Sequence, residues 1–117
     1  MKTIIAGSRT FKDNDLLWKV MKEFDVSEVI CGGARGADEI GQLWAYEKGI
    51  PVKMFIPDWD KYGKTAGIIR NIEMAKHADA LVAFWDGRST GTKHMISEAK
   101  RSGLSVTVIK YFDCKDW

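Results

Sequence analysis

The sequence predicts a three-layer α/β domain, a parallel sheet of five strands with helices on both faces. Two observations carry that expectation. Short apolar, β-branched runs alternate with stretches whose apolar residues recur at helical spacing, as in a sheet built by crossover connections. The turns rich in glycine, serine or arginine lie at the carboxyl ends of those runs, the edge of an open α/β sheet where ligands bind. At 117 residues the chain can bury one real core but not two, so residues 1–117 are read as one domain.

Each element has its own local reason. Thr3 to Ala6 is a short apolar strand that stops at Gly7-Ser8-Arg9. Leu16, Leu17, Val20, Met21 and Phe24 recur at helical spacing, with Asp13 or Asn14 as the cap. Glu28 to Cys31 is the second strand. The next helix opens at Ala37, carries Ile40, Leu43 and Trp44 on one face, and closes at Gly49. Pro51 to Ile56 is the third strand. Asp58 to Gly67 reads as a polar, aromatic loop before a helix marked by Ile68, Ile69, Ile72 and Ala75. Ala80 to Trp85 is the most apolar strand. Ser89-Thr90-Gly91-Thr92 then supplies cap hydroxyls for a helix through about Ser102. Ser105 to Ile109 is the last strand, and the tail from Tyr111 to Trp117 shows no clear period.

Composition excludes several classes of function. With 45% hydrophobic and 29% charged residues the chain is neither disordered nor membrane-embedded, and no apolar stretch approaches spanning length. Eighteen basic and sixteen acidic residues leave a formal charge of +2, so nucleic acid is not favoured as a partner and functional positive charge must be local. Cys31 and Cys114 lie far apart and the N-terminus lacks a signal-peptide pattern, so a reducing, cytoplasmic setting is expected. His77 and His94 share no ligand spacing with each other or with the cysteines, so neither a metal site nor a bound cofactor is expected.

The turn after the second strand, Cys31-Gly32-Gly33-Ala34-Arg35-Gly36-Ala37-Asp38, is the strongest local signal. Its glycines let backbone approach a ligand, the helix start offers free amides to an anion, and Arg35 adds a forked donor. A plain glycine-rich turn with Arg35 in solvent reads the same residues equally well. Asp38 is most simply a first-turn residue favourable to the helix dipole, with a bond to ribose hydroxyls as its functional alternative. Asp86 likewise serves helix entry or a ribose hydroxyl. Trp59 and Trp85, both at strand ends, suit either packing or stacking on a base. Trp18 and Trp44 fall on amphipathic helices as core or subunit contacts.

Taken together, the turns resemble the SLOG superfamily, which joins the LOG-type phosphoribohydrolases with the Rossmann-like part of DNA-processing protein A. The nearest likeness is to its stand-alone branch, described as YspA or YpsA-related. The matching stretches are Gly7-Ser8-Arg9-Thr10-Phe11, Gly32 to Asp38, Trp44-Ala45, Asp58-Trp59, Tyr62-Gly63-Lys64 with Ala66-Gly67, Arg70-Asn71, and Phe84 to Thr92. The resemblance implies a Rossmann-like strand order 3-2-1-4-5 and a nucleotide-like or phosphoribosyl ligand. It implies that Gly7, Ser8 and Arg9 face Asp86, Ser89, Thr90, Gly91 and Thr92 across the crevice. By the same likeness Arg70 points into the crevice beside Asn71, and chains pair through helices near the ligand, here with Trp44, Tyr46, Ile68 and Ile69.

One departure from that pattern bears on activity. The LOG-type hydrolases carry a glutamate soon after the Gly-Thr turn, and alignment brings His94 and Met95 to its place, with Glu98 a turn later. Its loss removes the group that would stabilise an oxocarbenium-like transition state or activate water and leaves binding intact, so no catalytic residue is assigned. The leading expectation is therefore a sensor or sequestering protein for an ADP-ribose-like, cyclic ADP-ribose-like or nucleoside monophosphate ligand, in prokaryotic immunity or phage counter-defence. The runner-up is a nucleotide N-glycosidase or phosphoribohydrolase with a relocated carboxylate. Single-stranded DNA binding through Lys61, Lys64, Arg70, Trp59 and Tyr62 stands third. A nicotinamide-binding motif is excluded by the lone Gly7 after the first strand. A Walker A reading of Gly63-Lys64-Thr65 fails because Asp58 stands where the motif's leading glycine belongs.

Overall fold

Five parallel strands form one sheet in the order β3-β2-β1-β4-β5 in the computed structural model, which describes residues 1–33 and 35–111. Ala34 and residues 112–117, Cys114 and Trp117 among them, lie outside the described residues. The strands are β1 (Lys2–Gly7), β2 (Glu28–Cys31), β3 (Val52–Met54), β4 (Ala80–Trp85) and β5 (Ser105–Lys110). Between them run α1 (Asn14–Met21), α2 (Ala37–Lys48), α3 (Trp59–Tyr62), α4 (Ala66–His77) and α5 (Thr90–Arg101). The first two crossovers move the chain from β1 outward to β3, and the third returns it past β1 to β4. Since crossovers keep one hand, helices before and after that reversal fall on opposite faces.

The strand period of two distributes the core accordingly. Ile5, Val29, Val82 and Phe84 face Leu17 and Met21 of α1 and Ala37, Trp44 and Ala45 of α2. Ile4, Ile30, Leu81 and Ala83 face Met74 and Ala75 of α4 and Met95, Ile96 and Ala99 of α5. These strand residues are fully buried, as a parallel sheet covered on both sides requires. Among the described residues no helix is long and apolar enough to cross a membrane.

The three-layer Rossmann-like fold and its strand order are as expected, and the differences are local. β3 is shorter than Pro51 to Ile56 because its one neighbour, β2, ends at Cys31. Val29 N still donates to Pro51 O and Phe55 N to Cys31 O, both at 2.9 Å, while Ile56 has passed beyond the pairing. α1 ends at Met21 rather than reaching Phe24, as its last turn tightens with Phe24 N donating to Met21 O at 3.2 Å. The residues expected as a loop, Asp58 to Gly67, contain α3 and a 3₁₀ turn over Gly63–Thr65. Asp58 caps α3 by accepting from Lys61 N at 3.1 Å, a signal the sequence already carried.

Gly36 and Gly49, both at positive φ, test whether the α2 entrance is shaped by close approach or by backbone conformation alone. A Cβ on Gly36 would collide with Ser8 O and lie 2.8 Å from the Arg9 carbonyl, whereas one on Gly49 meets nothing within 4 Å. Gly49→Ala is expected to cost about 1 kcal/mol and Gly36→Ala about 2 kcal/mol more than that. Urea unfolding of the two variants checks it, and equal losses would show that the approach to Ser8 is not a constraint.

Candidate functional site

The two turns that flank the reversal between β1 and β4 are stitched together by backbone. Gly7 admits no side chain, because a Cβ there would strike the Phe84 carbonyl and lie 2.7 Å from Ala37 Cβ. Ser8, 2% exposed, donates its N–H to Phe84 O at 3.1 Å, and its hydroxyl accepts from Asp86 N at 3.2 Å. Asp86 Oδ1 accepts from Arg88 N at 2.8 Å and Ser89 N at 2.9 Å, which turns the chain into α5. Ser89 caps that helix, its hydroxyl accepting from Thr92 N at 3.4 Å and lying 3.0 Å from the Thr92 hydroxyl.

The turn after β2 is held at both polar atoms of Gly32. Its N–H donates to Asp38 Oδ2 at 2.9 Å, and its carbonyl accepts from Arg70 Nη1 at 2.6 Å. Arg70 Nε donates to Asn71 Oδ1 at 3.0 Å, so the Asn71 amide nitrogen faces His94 Nδ1 at 3.1 Å and Gly91 O at 3.4 Å. One chain of contacts therefore links the β2 turn, α4 and the start of α5. Glu98, 7% exposed, pairs with Arg101 Nη1 at 3.2 Å and lies 3.8 Å from His94 Nε2.

The electrostatics follow from this packing. Burial pushes the Arg70 guanidinium below its ordinary value; Asp38 opposes that shift, and the like charge of Arg9 adds to it. Burial pushes the Cys31 thiol up, and Asp38 adds to the rise. Burial also acts to raise Asp86, but the N–H groups of Ser89 and Arg88 and the Ser8 hydroxyl outweigh it and hold the carboxyl below the usual range.

Between these turns lies a cleft. Its larger lobe, about 780 Å³, is walled by Ser8, Arg9, Trp59, Arg70, Asn71, Asp86, Ser89, Thr90 and Gly91. A second lobe of about 480 Å³ is walled by Arg9, Gly32, Gly33, Arg35, Trp59 and Arg70, and a recess of about 120 Å³ reaches Gly7, Asp38 and Thr92. Gly36 shapes the α2 entrance from behind. Trp85 does not join this group: its indole N–H donates to Ser89 O at 3.1 Å, and Lys110 Nζ lies 5.4 Å from its ring centroid. It buttresses the Ser89 turn instead of offering a stacking face.

The cleft also contains residues that sequence reasoning left out of the site. Ile56 and Pro57 wall the smaller lobe; Thr10, Lys64, Ile68, Arg88 and His94 wall the larger. Lys64 was visible in the Tyr62-Gly63-Lys64 match, and His94 as the residue in the missing glutamate's place. Ile56 gave no signal, because its 72% exposure follows from where β3 pairing stops. Gly63–Thr65 forms a 3₁₀ turn whose Thr65 hydroxyl donates to Tyr62 O at 2.8 Å, not a loop wrapped around an anion. Another groove of about 620 Å³, between α1 and α2, lies among Trp18, Lys19, Lys22 and Leu43, away from the strand ends.

The model of the YspA, cpYpsA-related SLOG family matches residues 1–62, which hold β1, β2, β3 and both glycine turns. The chain belongs to that family. Its relatives include the Gene 61 protein of Mycobacterium phage D29, 40% identical over 116 residues that cover 90% of this chain and 93% of that protein. Among solved structures it is similar to DNA processing protein A from Streptococcus pneumoniae, with a TM-score of 0.78 and 18% identity. That likeness is one of fold. It covers 97% of this chain but 51% of the other, so this chain spans about half the length of that structure.

The Asp86 turn makes a pH prediction. A carboxyl held below its ordinary value contributes stability that is complete above about pH 4 and lost as pH falls through the depressed value. The gap in unfolding free energy between wild type and Asp86→Asn should be constant from about pH 7 to 5 and close below about pH 4. Urea titrations at several pH values check this, and a gap that widens on acidification would contradict the turn's assignment.

Proposed function

We propose that this SLOG-family protein binds a nucleotide-derived anionic ligand in the cytoplasm, of the ADP-ribose, cyclic ADP-ribose or nucleoside monophosphate kind. In this reading it acts as a sensor or a sequestering protein and does not turn the ligand over rapidly. The observation that carries it is the convergence of Arg9 and Arg70 on a cleft at the strand reversal, walled on one side by the start of α5. Guanidinium forks recognise phosphate, and Trp59, 54% exposed at the cleft, offers a face for a base. The carboxylates near the cleft already serve protein donors: Asp38 holds Gly32 N, Asp86 holds Arg88 N and Ser89 N, and Glu98 pairs with Arg101. That arrangement favours binding over N-glycosidic cleavage. The phage relative supports a role in the contest between phage and bacterial immunity.

A homo-oligomer is part of the proposal, with a changed surface. Trp44 is 4% exposed and belongs to the core, one of the two roles the sequence allowed it, and so drops out of the pairing surface. Tyr46 at 70% exposure and Ile68 at 47% remain of that surface, with Ile69 half-buried and Leu43 beside Tyr46 on α2. A second reading, binding of single-stranded nucleic acid, draws on Trp59 and Tyr62 exposed beside Lys61 and Lys64, the layout of an aromatic platform with cations.

Arg9→Ala is expected to weaken ADP-ribose binding by about 1.5–3 kcal/mol, the range for a charged hydrogen bond, with the melting temperature of the unliganded protein nearly unchanged. Calorimetry and thermal melts check both, and unaltered affinity would place the phosphate elsewhere. ADP-ribose and AMP incubated with excess protein should be recovered intact. Free base or ribose 5-phosphate released over many turnovers, and lost in Glu98→Gln, would promote the hydrolase.

A further inference from the structure

The cleft is not one cavity but two joined at a neck. Both lobes share Arg9, Trp59 and Arg70, and each exceeds the roughly 300 Å³ at which small-molecule sites begin. Their walls differ in chemistry. Ile56 and Pro57, with Trp59, give the smaller lobe an apolar side suited to a flat ring. Asn71, Asp86, Ser89, Thr90 and His94 give the larger lobe hydroxyl, amide, carboxylate and imidazole groups suited to a sugar.

The neck is cationic from two sides. Arg9 and Arg70 are close enough for Arg9 to disfavour the charge on Arg70, an arrangement relieved when an anion lies between them. Arg70 commits Nε to Asn71 and Nη1 to Gly32 O, and a guanidinium has five N–H donors, so it can hold its position and still bind. Each guanidinium fork matches one phosphate.

We propose that the ligand has two parts joined by a diphosphate, which sits at the neck between Arg9 and Arg70. A nucleoside lies against Ile56, Pro57 and Trp59, and a second sugar unit fills the lobe at Ser89, Thr90 and His94. This rests on the nucleotide reading above and narrows it: a nucleoside monophosphate fills one lobe and the neck, and leaves the other lobe to water.

The test is calorimetry with three probes, ADP-ribose, AMP and ribose 5-phosphate, on wild type, Ile56→Asp and Thr90→Leu. Both substituted residues are exposed, and melting curves confirm that the variants fold. ADP-ribose is expected to bind at least about 100-fold more tightly than either half, the gain from linking two sites. Ile56→Asp should weaken ADP-ribose and AMP alike, and Thr90→Leu should weaken ADP-ribose about tenfold or more and leave AMP unchanged. AMP binding as tightly as ADP-ribose, or Thr90→Leu acting on neither, overturns the two-part ligand and leaves the nucleotide reading standing. Binding by none of the probes overturns both.

Discussion

The geometry at the carboxyl end of the sheet depends on how Gly32 is held. Its N–H is taken by the Asp38 carboxylate from inside α2, and its carbonyl is taken by Arg70 from α4, on the opposite face of the sheet. The two side chains reach the turn from the two helical layers, and a side chain at Gly32 itself would collide with the Arg70 guanidinium. A glycine is therefore required by close approach, and the layers are locked in register by charge-assisted bonds at a nearly buried point. Asn71 extends the lock from Arg70 to Gly91 at the start of α5. The walls of the cleft are thus tied to one another before any ligand arrives, which lowers the ordering cost of binding.

The reversal of strand order supplies the other half of the arrangement. β1 and β4 are neighbours whose chains leave in opposite directions, so their turns separate and leave a gap that no connection fills. Ser8 and Asp86 keep that gap at a defined width by bonding across its base. Arg9, one residue further, is exposed at the mouth while Ser8 is buried below it. Adjacent residues thus divide the work of building the cleft and presenting charge to it.

Much of this was legible in the sequence, for reasons that differ by element. The central strands read clearly because burial on both faces demands continuous apolar runs, as in Ile4-Ile5-Ala6 and Leu81 to Phe84. The caps were legible to within a residue or two, because capping is local chemistry: of Asp13 and Asn14 it is Asp13 that accepts from Leu16 N, and of the Ser89 to Thr92 hydroxyls it is that of Ser89 that accepts from Thr92 N. Strand order was not local, and came from the likeness of the turns to a known superfamily. What escaped was whatever depends on where a side chain turns in three dimensions. Trp85 stands at a strand end like Trp59, but the Ser89 carbonyl claims its indole, whereas Trp59 on α3 stays exposed. Trp44 looked available for pairing because α2 is amphipathic with a broad apolar face, and only packing decides that Trp44 goes inside while Leu43 and Tyr46 stay out. Asp38 could have faced a ribose or the helix dipole; its position beneath Gly32 directs a carboxylate oxygen to the backbone.

The role of the cleft is decided by whether it retains a phosphorylated small molecule. Native mass spectrometry of protein purified rapidly from cells, followed by denaturation and phosphorus detection on the released fraction, measures that most directly. Binding at the Arg9–Arg70 neck predicts a bound species that carries phosphate and is absent from Arg9→Ala purified alongside. A phosphorus-bearing species held equally by wild type and Arg9→Ala would contradict it.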